Sequence, residues 1–177
     1  MAVIVRKQPF YEQHTSVVVE GEPVRIKPYQ IILWVSLAPP EERTLRPNAP
    51  RFPAILDLGH SHNFSLTEEH LTHWSRLDPR RLTIIGAIRV KKQRLPLHSA
   101  NVWLHSYRPG QRDDLGSGSP FCIPLDSGIA VYPTVASSAP RLPLLGLRGL
   151  RRADLQLHVD CRRCNVSLST SRASWFF

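Results

Sequence analysis

Proline is spread along the whole chain and limits the fold more than any other feature. The 177 residues include 16 prolines. Inside a helix, proline removes a backbone hydrogen bond and clashes with the preceding turn, whereas strand edges and turns tolerate it. Apolar residues make up 42% of the chain, which is ordinary for a globular protein with a core. We therefore expect an all-β domain with one or two short helices.

Several β-branched or apolar segments are the candidate strands. Residues 16–19 and 24–26 flank a compact turn that contains Gly21 and Pro23, a pattern that predicts a hairpin. Residues 29–37 are almost continuously apolar, which predicts a strand buried on both faces. Further strand-like runs follow at 82–92, 95–104 and 121–135.

Two stretches do not have the pattern of strands. Ser65 and Glu68 have the spacing of a helix-capping box, and apolar residues follow at helical spacing, which predicts a short helix over about residues 66–77. Residues 106–120 are rich in glycine, serine and charge, which is typical of a mobile connection or the tip of a long hairpin.

Residues 53–64, with the sequence PAILDLGHSHNF, contain the first candidate for chemistry. An apolar run leads into Asp57 and is followed at once by Leu58, Gly59 and His60, which predicts a buried strand that ends in a sharp turn. A carboxylate at the boundary between core and loop is costly unless it is paired, hydrogen-bonded or protonated. Asp57 is therefore either a functional residue or a turn cap that bonds to its own backbone.

A second apolar strand also ends in a glycine. Leu144 and Leu145 precede Gly146, and residues 147–153 have the length of a short helix. Alternating apolar residues at 155, 157 and 159 and a turn at 161–165 then predict a hairpin that closes the chain.

These two strands, in this order, resemble the pattern of the retropepsin-like aspartic proteases, the single-lobe relatives of pepsin. In that family an apolar pair precedes Asp-Thr/Ser-Gly-Ala, a flap hairpin lies in mid-chain, and an apolar-apolar-Gly motif packs beside the active-site turn. Here Asp57-Leu58-Gly59-His60 stands at the catalytic turn and Leu144-Leu145-Gly146 at the second motif, while residues 106–120 fall in or near the flap.

The resemblance covers residues 29–168. Residues 1–28 are then interpreted as N-terminal strands or an extension, and residues 169–177 as a C-terminal tail. In that tail, Trp175, Phe176 and Phe177 are candidates to cover an exposed apolar edge.

The resemblance implies a retropepsin-like acid protease barrel with the activity of an aspartic endopeptidase. The substrate would be a peptide or protein, and no cofactor or metal is implied. Each chain of a homodimer would supply one catalytic aspartate, Asp57. Two carboxylates about 3 Å apart cannot both ionise, so they share a proton and act as base and acid on one water. The alternative is a non-catalytic, dimeric binding or scaffold domain of the same fold.

The sequence departs from the family pattern next to the aspartate. The family's Thr or Ser hydrogen-bonds across the dimer, and Leu58 has no hydroxyl. His60 replaces a small residue, so its imidazole either crowds the water or, when charged, depresses the carboxylate pKa. Both departures argue against ordinary protease activity.

Asp126-Ser127-Gly128 is a closer local copy of the family's catalytic signature. Its position argues against that role, because it lies only 20 residues before Gly146 and leaves no space for a flap between them. We interpret Asp126 as a turn residue between strands, with a catalytic or paired role as the alternative.

The charge pattern gives weaker evidence about partners. The formal net charge is +9, but the basic residues are scattered, with no run of five or six. A solvated basic surface fits this pattern better than a nucleic-acid interface. No segment has the roughly 18–20 apolar residues of a membrane helix, and the N-terminal segment does not have the pattern of a signal peptide. We therefore expect a cytoplasmic protein without a membrane partner.

Histidine and cysteine raise a metal-site alternative. His60 and His62 are two residues apart and His70 and His73 three apart, but no third element with a ligand pattern accompanies them. The pair Cys161 and Cys164 lacks the second pair of a structural zinc site. Three cysteines in all do not make a disulfide framework, so we predict free thiols and no metal site.

Overall fold

A computed structural model describes residues 2–171, and most of this part of the chain is β-structure. The strands are β1 (Val3–Pro9), β2 (Thr15–Val19), β3 (Glu22–Ile26), β4 (Ile32–Ala38), β5 (Phe52–Asp57), β6 (Phe64–Thr67), β7 (Ile84–Val90), β8 (Gln93–His98), β9 (Asn101–Leu104), β10 (Phe121–Ile123), β11 (Ile129–Tyr132), β12 (Leu144–Gly146), β13 (Leu155–Asp160) and β14 (Asn165–Thr170). A π-helix at His70–Trp74 and α1 (Leu147–Arg152) are the two short helices, and a single 3₁₀ turn spans Pro79–Arg81. The mostly β composition that the prolines predict is confirmed.

A nine-stranded sheet holds the core, in the order β10-β9-β4-β5-β12-β6-β11-β8-β7. Every residue of β4 is buried, which confirms the prediction that this strand is covered on both faces. Within residues 2–171 the pairing runs from β10 at one edge to β7 at the other, so the sheet remains open and the expected closed barrel is not found there.

The short strand β12 lies between β5 and β6. It runs parallel to β5, with Leu144 opposite Ile55 and Gly146 opposite Asp57. It runs antiparallel to β6, with Leu145 opposite Phe64. Strands that are 87 or more residues apart in sequence are therefore hydrogen-bonded at the point where β5 ends.

The two ends of the described chain share a smaller sheet. β1 pairs with β14, and β14 pairs with β13, in the order β1-β14-β13. β2 and β3 form the predicted hairpin as a separate two-stranded sheet. The domain boundaries at residues 28 and 168 stay predictions, and Trp175, Phe176 and Phe177 lie outside the described residues.

The helix predicted over residues 66–77 is wrong in its first part. Ser65 belongs to β6 and pairs with β11 and β12, so it does not cap a helix. The turn begins instead at Thr67, whose hydroxyl oxygen accepts from the His70 N–H at 3.1 Å. The helix that forms is the π-helix of five residues.

Residues 106–120 lie between β9 and β10, which pair antiparallel, so they form the tip of that hairpin. Their Arg112 side chain is buried and hydrogen-bonds Thr15 and the carbonyl of Ser16 in β2. The mid-chain hairpin is β7–β8, which pairs through β8 with β11. The placement of residues 106–120 in or near the flap stays a prediction.

Among residues 2–171, no helix combines the length and apolar character needed to cross a membrane.

Candidate active site

The turn after β5 carries Asp57 at its first position. The Gly59 N–H donates to Asp57 Oδ1 at 2.9 Å, and the His60 N–H donates to the Asp57 carbonyl at 3.1 Å. The carboxylate thus caps its own turn, as one reading of the sequence predicts. The Asp57 side chain is partly buried. Among residues 2–171, the backbone N–H of Gly59 is the group that donates a hydrogen bond to this carboxylate. The turn fixes the carboxylate and leaves its second oxygen for other chemistry.

Gly146 of β12 packs directly against this turn. Its N–H donates to the carbonyl of Asn63 at 3.0 Å. A Cβ at position 146 would lie 2.1 Å from the His62 carbonyl oxygen and 2.8 Å from that of His60. Only glycine fits such a close approach of two backbones. The structure therefore brings together the aspartate turn and the Leu144-Leu145-Gly146 motif.

The imidazole of His60 lies over Gly146 and not in free solvent. Its Nε2 is 2.8 Å from Ser65 Oγ, and its ring contacts the His62 ring edge-on at 5.5 Å between centroids. Burial, and then the His62 charge, lower the pKa of His60, while Asp57 opposes this by raising it. His60 is therefore neutral at pH 7, and its charge does not act on the carboxylate there.

Leu58 lies at the tip of the turn, next to the carboxylate. Its side chain is 51% exposed, which is high for a leucine beside a strand of the core. Leucine has no hydroxyl, so this side chain supplies no hydrogen bond at the tip of the turn.

A cavity of about 110 Å³ lies beside the turn. It is lined by His62, Asn63, Phe64, Ile88, Leu97, Ser127, Gly128, Ala130 and Arg148. The β7–β8 hairpin contributes Ile88 and Leu97, and α1 contributes Arg148. Ile88, Leu97 and Arg148 are distant in sequence from Asn63 and meet it only in the fold, so no local sequence pattern identifies this group.

Asp126-Ser127-Gly128 forms a turn on the far side of this cavity. Asp126 is exposed, and the Gly128 N–H donates to the Leu125 carbonyl at 2.7 Å. Gly128 has a φ of +73°, and a Cβ there would lie 2.7 Å from the His98 carbonyl oxygen. Glycine is therefore required here by the positive φ of the turn and by the close contact with the backbone of β8.

The remaining histidines and cysteines do not assemble a metal centre in residues 2–171, where no group of three or more potential ligands is arranged to hold an ion. His70 stacks on Trp74, with 4.4 Å between ring centroids. Cys161 and Cys164 are free thiols at the β13–β14 turn, where the Cys164 Sγ–H donates to the Cys161 carbonyl at 3.5 Å.

Comparison with known proteins yields a distant structural likeness. No protein-family model matches the chain, and no curated protein sequence matches it either. Among solved structures, the chain is similar to the crystal structure of a retropepsin-like aspartic protease from Rickettsia conorii, with 13% sequence identity, a TM-score of 0.37, and coverage of 80% of this chain and 95% of that chain. A likeness this weak does not define the chemistry, which must follow from the strand order and the geometry of the turn.

Proposed function

We propose that this chain is a retropepsin-like aspartic endopeptidase that works as a homodimer, with Asp57 of each copy as a catalytic residue. The observation that carries the proposal is the insertion of β12 between β5 and β6, which seats Gly146 against the Asp57 turn. The Asp57 carboxylate is fixed by the Gly59 N–H at the end of a buried strand. A fixed, partly buried carboxylate is suited to proton transfer.

The reaction needs two such carboxylates with one proton between them. The ionised carboxylate takes a proton from water, whose oxygen attacks the carbonyl carbon of the peptide bond, while the protonated carboxyl gives its proton to the carbonyl oxygen. As the tetrahedral diol collapses, the carboxyl that took the proton from water gives it to the amide nitrogen, and the other carboxylate takes a proton from a diol hydroxyl. The C–N bond breaks to release an amine and a carboxylic acid, and the pair again holds one proton. The neutral His60 adds no positive charge that would keep both carboxylates ionised at pH 7.

The test is peptide cleavage by the purified chain and by Asp57→Asn, measured with a peptide library from acid to neutral pH. Replacing the carboxylate with an amide removes the proton acceptor, so we expect cleavage to fall by about a thousandfold or more. Asp126→Asn is the matched control and should cleave like the wild type. Loss of cleavage in Asp126→Asn but not in Asp57→Asn would assign the reaction to the other turn.

A non-catalytic dimeric scaffold is the second candidate, and Leu58 favours it. An exposed leucine replaces the hydroxyl residue that would hold two turns together across a dimer. If the wild type is dimeric but cleaves nothing over the whole pH range, the scaffold function replaces the enzymatic one.

A further inference from the structure

The cavity beside the Asp57 turn has the size of a side-chain pocket. Its volume of about 110 Å³ is well below the several hundred Å³ of pockets that hold whole ligands. Ile88 and Leu97 of the hairpin form an apolar wall, and Asn63 and Arg148 provide polar groups. An occupant therefore needs an apolar stem and a polar end.

Arg148 supplies a positive charge to this pocket. Its Nη1 donates to the Ser61 carbonyl at 3.3 Å, which ties the side chain to the loop after Asp57 and leaves other N–H donors of the guanidinium unused. Arg151 and Arg152 line an adjoining hollow together with Arg148. None of the ion pairs formed within residues 2–171 involves these three arginines.

Asn63 supplies an unused acceptor. The residue is 5% exposed, and its Oδ1 has no hydrogen-bond partner. A buried acceptor without a partner is costly, so an occupant that brings an N–H to it gains affinity. A polypeptide carries such N–H groups along its backbone, whereas a phosphodiester chain does not carry them on its phosphates.

The end of the β7–β8 hairpin is also basic. Lys91 and Lys92 form the turn between the strands, and Arg89 lies directly opposite Arg94 in the register. This arginine pair lies on the face of the hairpin away from Ile88, because successive strand residues point to opposite faces. Like charges opposite one another destabilise a hairpin. No carboxylate of the described residues forms an ion pair with them. The arginines of α1 and the basic end of this hairpin are therefore both complementary to an acidic chain.

We propose that this cavity is a specificity pocket for an acidic side chain, Glu or Asp, of a bound polypeptide, and that Arg148 selects it. The methylene groups of the side chain pack on Ile88 and Leu97, the carboxylate binds the guanidinium, and Asn63 Oδ1 accepts an N–H of the bound chain. This inference rests on the proposed function in naming the occupant as substrate, but binding can be measured without cleavage.

The experiment uses Asp57→Asn, so that bound peptides stay intact. Octapeptide libraries in which one position at a time is fixed as Glu, Gln or Lys are titrated against this variant by fluorescence anisotropy. At one position we expect Glu to bind about tenfold more tightly than Gln and Lys to bind more weakly than Gln. Adding Arg148→Gln should reduce the Glu preference to about twofold or less.

Arg162→Gln, an equal loss of charge at the exposed β13–β14 turn, is the matched control and should retain the full Glu preference. Circular dichroism and thermal midpoints verify that each variant is folded. Equal binding of Glu and Gln at every position, no peptide binding, or equal losses in Arg148→Gln and Arg162→Gln would overturn the proposal. Single-stranded RNA that binds more tightly than any peptide and loses affinity steeply with salt would also overturn it, in favour of a nucleic-acid surface.

The two proposals can fail separately. Wild-type cleavage without a Glu preference removes the specificity pocket and leaves the endopeptidase. A Glu preference in Asp57→Asn with no wild-type cleavage leaves the pocket and removes the endopeptidase.

Discussion

The imidazoles of His70 and His105 lie in the core, only 7% and 5% exposed. His105 Nε2 is 2.8 Å from Ser36 Oγ, and the Ser36 hydroxyl donates its only proton to the Pro50 carbonyl at 2.7 Å. His105 must therefore donate its Nε2–H to Ser36. Burial lowers the pKa of each histidine to about 4, and the Arg51 charge contributes at His105.

We predict that the folded state loses stability as the pH falls from about 6.5 to about 4. In this range the unfolded histidines bind protons at their ordinary pKa, whereas the folded ones remain neutral, so protons favour unfolding. The expected loss is on the order of 1 kcal/mol per pH unit for each histidine. Urea unfolding at about pH 7.5, 6 and 5 measures the free energy of unfolding across this window.

His105→Gln separates the two histidines. Its amide can still donate to Ser36 Oγ but does not titrate, so the dependence on pH should become shallower. An unchanged slope would show that His105 does not contribute to the acid loss of stability.

Single residues at the site differ in how far the sequence could predict them. Asp57, Leu58, Gly59 and His60 are contiguous, so a turn pattern is enough to find them. Arg148 reaches the site through a contact with Ser61, 87 residues earlier, which no local pattern contains. The lowered pKa of His60 depends on burial of its imidazole, which lies against Gly146 of β12. The sequence alone could not predict this burial.

Among the secondary-structure elements, the position of β12 is the prediction that required two distant segments to be considered together. The resemblance to the retropepsin-like pattern implied that Leu144–Gly146 packs beside the Asp57 turn, and the pairing of β12 with β5 agrees with this. The helix prediction at residue 66 failed because β6 gains ladder hydrogen bonds on both sides, which outweigh a local capping pattern. Glycine content marks loops in general, so it does not say which loop faces the site.

Gly146→Ala is predicted to destabilise the fold by about 1–3 kcal/mol or more, because its Cβ would clash with two carbonyl oxygens of the Asp57 loop. The backbone at position 146 is extended, so the cost is steric and does not come from the dihedral angles. Chemical denaturation with urea measures the change in the free energy of unfolding.

Gly86→Ala is the control in β7. A Cβ there meets only Leu97 Cδ1 at 3.7 Å, an ordinary contact, so its stability should change little. Equal effects of the two substitutions would contradict the view that β12 is held against the turn by a close backbone approach.

The proposed dimer concerns the whole molecule, because one chain supplies one Asp57. A dyad forms only if two turns meet, and Leu58 at the tip of each turn would then be buried between the copies. The Leu58 side chain is 51% exposed in the single chain, and contact between the two turns would remove this apolar surface from water. Mass action then requires activity and thermal stability to rise with protein concentration.

Leu58→Glu is predicted to raise the dissociation constant of the dimer by at least about tenfold, because it places two further carboxylates beside the Asp57 pair, where like charges repel at short distance. Sedimentation equilibrium measures the dissociation constant, and cleavage should fall in parallel. Val18→Glu introduces the same charge at a side chain that is 63% exposed on β2 and should leave the dimer intact. A wild type that stays monomeric at all concentrations, or a Leu58→Glu chain that dimerises as well as Val18→Glu, would mean that the two turns do not meet.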